Sequence, residues 1–234
     1  MKKKTVVIHQ PDFLPYLGFF DRLIQCDFFV LLDHVQYVRG TSRSWMNRDK
    51  IKTPRGEQWI TINVKKASMG TPINQILLNR ETDWRKKNLR LMYENYRKAL
   101  YFEEIFPEMQ QLYDFECELL MEFNWRSIQM LMQLLDIQVS TIFSSSLQVH
   151  GKNNELLVGI VKALGGGRYL SGIGALDYYC AKPFDEAGIE VVWQKFDHPV
   201  YSQLYGEFIP NLSSIDLLMN CGIATSRKIL RRQP

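Results

Sequence analysis

The stretch Thr5-Val6-Val7-Ile8-His9-Gln10-Pro11-Asp12-Phe13-Leu14-Pro15-Tyr16-Leu17-Gly18-Phe19-Phe20-Asp21 decides the reading of the fold. Val6, Val7 and Ile8 are β-branched and predict a short buried strand. Pro11 and Pro15 stop it, and apolar residues at Leu17, Phe20, Leu23 and Ile24 then recur at helical spacing. A second apolar run, Phe28 to Leu32, ends at Asp33-His34-Val35-Gln36, so strand, helix and strand follow within one βαβ length. His9 and Gln10 therefore fall at the carboxyl end of the first strand and Asp33 at the end of the second. Carboxyl ends of parallel strands share an edge, and open α/β sheets bind their ligands outside that edge.

The same alternation returns over residues 139–196. Val139 to Ser144 predicts a strand, residues 154–164 a helix stopped by Gly165-Gly166-Gly167, and Tyr169-Leu170-Ser171-Gly172 a strand entering a small-residue turn. A short helix and the strand Glu190 to Gln194 follow. The expectation is an α/β fold with a mainly parallel sheet flanked by helices. Trp59 to Val64 alternates and pairs with residues 45–52 as a hairpin around Pro54-Arg55-Gly56. From Asp83 to Leu135 the pattern is helical, divided at Pro107. Its last part, residues 116–135, carries the stripe Leu120, Phe123, Ser127, Ile128, Leu131 and Leu135. These segments make a helix-rich lobe, about residues 82–136, within a single domain of residues 1–234.

A chain of 234 residues that is 46% hydrophobic and 23% charged has ample material for a core. Its net charge of +4 does not argue for nucleic acid, but the charge is uneven. Residues 39–55 hold six bases and one acid, Asp49, while residues 103–122 hold seven acids and no base. A basic segment beside a sheet's ligand edge suits an anionic group such as a nucleotide phosphate. Cys26, Cys117, Cys180 and Cys221 have no metal-ligand spacing and read as free thiols in a reducing cytoplasm. The apolar stretch after Met1-Lys2-Lys3-Lys4 is too short for a signal peptide, and no run of about 18 apolar residues could span a membrane.

Several chemistries are excluded by what the motifs lack. Gly151-Lys152 has no Walker spacing, Gly165-Gly166-Gly167 follows a helix instead of opening one, and there is no Gly-x-Ser-x-Gly elbow. What remains is His9, Asp33 and Ser171 at strand ends, with His198 in Asp197-His198-Pro199 after the last strand. A histidine with a carboxylate serves as general base toward an amine or hydroxyl, and would titrate near ~6.5 as shifted by its neighbours.

The chain resembles the WbqC-like protein family of bacterial surface-polysaccharide (O-antigen) gene clusters, over nearly its whole length. The resemblance is carried by Ile8-His9-Gln10-Pro11, Pro15-Tyr16-Leu17-Gly18-Phe19, Asp33-His34-Val35-Gln36-Tyr37 and Asn47-Arg48-Asp49-Lys50-Ile51-Lys52-Thr53-Pro54. It continues in Trp59 to Val64, Tyr169-Leu170-Ser171-Gly172, His198-Pro199-Val200-Tyr201-Ser202-Gln203 and Phe208 to Leu218. Gly151-Lys152-Asn153-Asn154 departs from the Thr-Glu-Arg-like continuation the family leads one to expect.

The resemblance implies modification of a nucleotide-linked amino sugar during polysaccharide assembly. Residue chemistry then suggests a transferase that forms an amide on the sugar amine from an activated acyl or aminoacyl donor such as glycyl. His9 or His198 would act as base or orient the amine, helped by Asp33. Arg48 and Lys50 would meet phosphates or a developing oxyanion, and Tyr169, Ser171 and Gln203 would bond the sugar. Gln10, Gln36, Asn47, Gly172, Tyr178, Tyr201 and Asp216 complete the expected substrate-binding set. Neither a metal site nor a cofactor is required by this reading, and a homodimer stays open. The first unit also looks distantly like the opening of the HxGH nucleotidyltransferases. The alternatives are accordingly an ATP- and Mg²⁺-dependent nucleotidyltransferase or ligase, with Asp12, Asp33 and Asp216 as metal candidates, or a non-catalytic sugar-nucleotide binder.

Overall fold

A computed structural model describes residues 3–38 and 45–233. Arg39 and Arg43 of the basic segment lie outside the described residues. The described residues form two compact units: residues 3–10, 21–34 and 138–197 in the first, and residues 11–20, 35–38, 45–137 and 198–233 in the second.

The first unit is built on five parallel strands: β1 (Thr5–His9), β2 (Phe28–Leu31), β5 (Ser140–Phe143), β6 (Arg168–Ser171) and β7 (Glu190–Trp193). Their order is β5-β2-β1-β6-β7, every neighbouring pair being parallel. Central β1 is buried at Val6, Val7 and Ile8, the continuous apolar run of a strand covered on both faces. Helices α5 (Asn153–Ala163) and α6 (Ala181–Glu186) connect β5 to β6 and β6 to β7. Leu156, Ile160, Val161 and Phe184 on them are buried. Gly165, at φ 62°, ends α5 in the left-handed conformation that disfavours a side chain. The sheet expected from sequence is present, with boundaries within a residue or two.

The second unit holds the hairpin β3 (Arg48–Thr53) and β4 (Gly56–Thr61), paired antiparallel around the expected turn. Its helices are α2 (Trp84–Tyr96), α3 (Phe102–Asp114), α4 (Leu120–Leu134) and α7 (Ser214–Leu230). All six stripe residues from Leu120 to Leu135 are buried. Trp84, Tyr113 and Phe123 cluster with ring centroids 5.2–5.8 Å apart, so these aromatics pack the core. Pro107 does not divide the helical block as expected: it lies inside α3, and the breaks fall at residues 97–101 and 115–119. The proline ring is exposed, while Phe102, Ile105, Met109, Leu112 and Tyr113 bury one face and hold the helix through the lost hydrogen bond. The connecting helix α1 (Leu17–Leu23) matches the spacing of Leu17, Phe20 and Leu23.

Candidate active site

Starting from β1, the chain adds β2 and β5 on one side and β6 and β7 on the other. The topological switch point, where such sheets open a ligand crevice, is thus between the carboxyl ends of β1 and β6. His9 ends β1 and Ser171 ends β6. The ladder continues past β1 through Leu32 N–H, which donates to the His9 carbonyl at 2.8 Å, and this brings Asp33 to the same edge.

At the switch point His9 Nδ1 lies 2.9 Å from the Gln10 carbonyl oxygen. A carbonyl can only accept, so Nδ1 carries the proton and Nε2 the lone pair. Burial, and then the neighbouring Arg22 guanidinium, lower the His9 pKa to about 3. The expectation that His9 titrates near its ordinary value therefore gives way to a ring that stays neutral at physiological pH. Arg22 is itself 4% exposed. Its Nη1 lies 3.3 Å from where a Cβ on Gly172 would stand, so the absence of a side chain at 172 admits the guanidinium. Tyr169 is buried, accepts from Ser171 Oγ at 3.3 Å and stacks on Phe184 at 5.7 Å. Burial raises its pKa, while the Ser171 bond and Arg22 act the other way. Arg22 was legible in the sequence only as one polar position of an amphipathic helix. Its burial beside His9 follows from tertiary packing.

One strand over, Asp33 is 2% exposed and its carboxylate is engaged. Oδ1 accepts from Ser144 Oγ at 2.9 Å and from Ser145 N–H at 2.8 Å, and Oδ2 accepts from Ser145 Oγ at 2.6 Å. Asp33 thus clamps the end of β2 to the 3₁₀ turn Ser144–Ser146 that follows β5. Gln10 contributes its carbonyl to His9, and the Tyr178 carbonyl, on an exposed residue, accepts from Asn154 Nδ2 at 3.0 Å.

The other expected site residues belong to the second unit. His198 donates from Nδ1 to the Pro199 carbonyl at 3.0 Å and packs on Tyr201 and Phe208, and burial lowers its pKa. Tyr201, Gln203 and Asp216 form one cluster, buried at Tyr201 and Asp216 and half-buried at Gln203. Asp216 Oδ1 accepts from Tyr96 OH at 2.7 Å, and Oδ2 accepts from Tyr201 OH and Gln203 Nε2, both at 2.8 Å. Lys52, 1% exposed, donates to Gln203 Oε1 at 3.0 Å and to the Glu207 carbonyl. Arg48 and Lys50 lie over the Trp59 ring at 4.3 and 5.0 Å, and Lys50 also pairs with Glu57 at 2.6 Å. Asn47 lines a cleft of about 290 Å³ with Thr61, Ile62, Asn63, Val64 and Asn79. Gln36 is exposed, in an isolated bridge with Pro72. Of the expected residues, the first unit thus holds His9, Gln10, Asp33, Tyr169, Ser171, Gly172 and Tyr178. Among the described residues, no group of three or more His, Cys, Asp or Glu could hold a metal ion, and no helix is long and apolar enough to cross a membrane.

The chain belongs to the WbqC-like protein family, whose model matches residues 10–228. It is 34% identical over 222 residues, covering 94% of each chain, to the uncharacterized protein Rv1507c of Mycobacterium tuberculosis. No solved structure matches.

Proposed function

We propose that the protein is a transferase that forms an amide on the amine of a nucleotide-linked amino sugar, taking an acyl or aminoacyl group such as glycyl from an activated donor. The observation that carries this reading is the pairing of His9 with buried Arg22 at the switch point. The burial and positive charge that keep the His9 ring neutral would act equally on a substrate ammonium placed beside it. Both effects favour the unprotonated form of an amine there, which is the form that attacks an acyl carbon. The His9 Nε2 lone pair can accept one of its N–H bonds and so aim the nitrogen's own lone pair at the donor. Arg22 supplies fixed positive charge for a phosphate of the carrier or for the developing oxyanion. The resemblance to the WbqC-like family implies polysaccharide assembly as the setting.

The test is incubation with a panel of nucleotide-linked amino sugars and activated donors, with and without ATP, read by mass spectrometry. The mass increment identifies the group transferred. Nucleotidylation that requires ATP and Mg²⁺ would instead favour the nucleotidyltransferase reading. Tight sugar-nucleotide binding with no product under any condition would favour a non-catalytic binder.

A further inference from the structure

Beyond the ends of β2 and β5, three side chains form a hydrogen-bonded series with a definite direction. Ser144 Oγ has a single proton, and it donates that proton to Asp33 Oδ1 at 2.9 Å, since an ionised carboxylate can only accept. His34 Nδ1 lies 2.7 Å from the same Ser144 oxygen. With the hydroxyl proton already committed, Nδ1 must be the donor. The Asp33 backbone N–H also donates to that oxygen, at 3.1 Å, which completes its capacity. The proton of His34 is therefore on Nδ1 and the lone pair on Nε2. The ring is 32% exposed, whereas Asp33 and Ser144 are 2% and 1% exposed. Asp33 Oδ1 stands 3.9 Å from His34 Nδ1, near enough to balance a positive charge acquired by the ring. His9, on the neighbouring strand, faces an arginine instead.

We propose that His34 is the general base of the amide-forming step, oriented by Ser144 and Asp33 as positioning residues. This rests on the reading of the reaction given above. His9 and His34 thereby divide two tasks according to the charge beside each: a hydrogen-bond acceptor beside Arg22, and a proton acceptor backed by a carboxylate. In the step itself, the amine nitrogen uses its electron pair to form the N–C bond to the acyl carbon, and its surplus proton passes to His34 Nε2. The carbonyl reforms as the bond from the acyl carbon to the donor's leaving group breaks. That electron pair departs with the leaving group, which takes the proton from Nε2 and returns the ring to its starting state.

Two measurements test this independently. The first is the ¹⁵N spectrum of the His34 ring at neutral pH in the unaltered protein and in Ser144→Ala. A proton on Nδ1 in the former, and loss of that preference in the latter, is expected. A proton on Nε2 in the unaltered protein would overturn the proposal without reference to any substrate. The second is kinetic, with the donor and sugar that give product in the panel above. His34→Gln should lower kcat by roughly 10²- to 10⁴-fold with little change in KM. Added imidazole should restore part of the rate in His34→Ala, and exposed His150→Gln should match the unaltered protein. Normal kcat in His34→Gln, alongside amide formation by the unaltered protein, overturns the base assignment and leaves the reaction standing. No amide from the unaltered protein overturns the reaction, and His34's part in it, while the spectrum still decides whether the ring is oriented as described.

Discussion

Asp216 offers the sharpest separation between a residue that binds substrate and one that holds the fold. It is fully buried at the start of α7 and receives three hydrogen bonds, from Tyr96, Tyr201 and Gln203, with buried Lys52 attached through Gln203. In Asp216→Asn the shape is kept and the amide oxygen can still accept from Tyr96. The new amide protons, however, point at Tyr201 and Gln203. Tyr201 can rotate its hydroxyl to accept, but the Gln203 amino group cannot, so a donor faces a donor. Losing a hydrogen bond to a charged acceptor costs about 1.5–3 kcal/mol, and breaking one side of a buried charged cluster about 3–5 kcal/mol. Against this, burial raises the Asp216 pKa, so its charge is itself held at a cost that the neutral amide removes. The expected net loss is therefore at the low end, about 3 kcal/mol, or a melting temperature lower by about 6–12 °C for a chain of this size. Urea unfolding followed by both circular dichroism and tryptophan fluorescence measures it. Lys52→Met combined with Asp216→Asn should lose less than the sum of the single changes, because the two act on one cluster. A loss below about 1 kcal/mol, together with weakened sugar-nucleotide binding, would return Asp216 to the substrate-binding role predicted from sequence.

Asp49 is 2% exposed, and burial raises its pKa well above the usual carboxylate range, with the Lys50 backbone bond opposing and Asp12 reinforcing the shift. The folded state holds that proton more tightly than the unfolded chain, so the stability it contributes is present at low pH and lost as pH rises. Asp49→Asn should therefore be more stable than the unaltered protein at pH 7, and the gap should close as pH falls toward 4 in urea titrations. His9 has the opposite sign: its lowered pKa makes its contribution complete above ~6.5 and lost as pH drops toward 3, at ~1.4 kcal/mol per pH unit. His9→Gln should flatten the acid side of the stability profile, and no inflection of the rate near 6.5 should trace to this residue. Gly222 sits in α7 at φ 72°, ψ 170°, and a Cβ there would fall 2.5 Å from Tyr101 Cδ1. Gly222→Ala combines backbone strain with overpacking, so a thermal melt should report a loss of about 2–4 kcal/mol.

Local patterning carries the parts of this protein that depend on neighbours in sequence. The β-branched run before His9, the apolar run before Asp33 and the glycines after α5 each encode an element through side-chain period or backbone freedom. The stripe on α4 is legible for the same reason, since a helix face is a sequence spacing. Pro107 misled because the hydrogen bond it removes is a local cost, whereas the buried face of α3 that offsets it is supplied by packing.

Residue patterning alone puts His9, Asp33 and Ser171 at or just past the ends of parallel strands, and runs another strand up to Ser144, one residue beyond where β5 ends. It could not determine strand order. The order β5-β2-β1-β6-β7 sets Ser144 against Asp33 and His34, although they are more than a hundred residues apart, and puts the switch point between His9 and Ser171. Charge environment was likewise beyond local reading. Burial, and then Arg22, lower the His9 pKa, while Tyr96 and Lys52 join Tyr201, Gln203 and Asp216 in one cluster. Hydrogen bonds and Coulomb interactions act through space over a few ångströms, and which side chains come that close is decided when the chain packs.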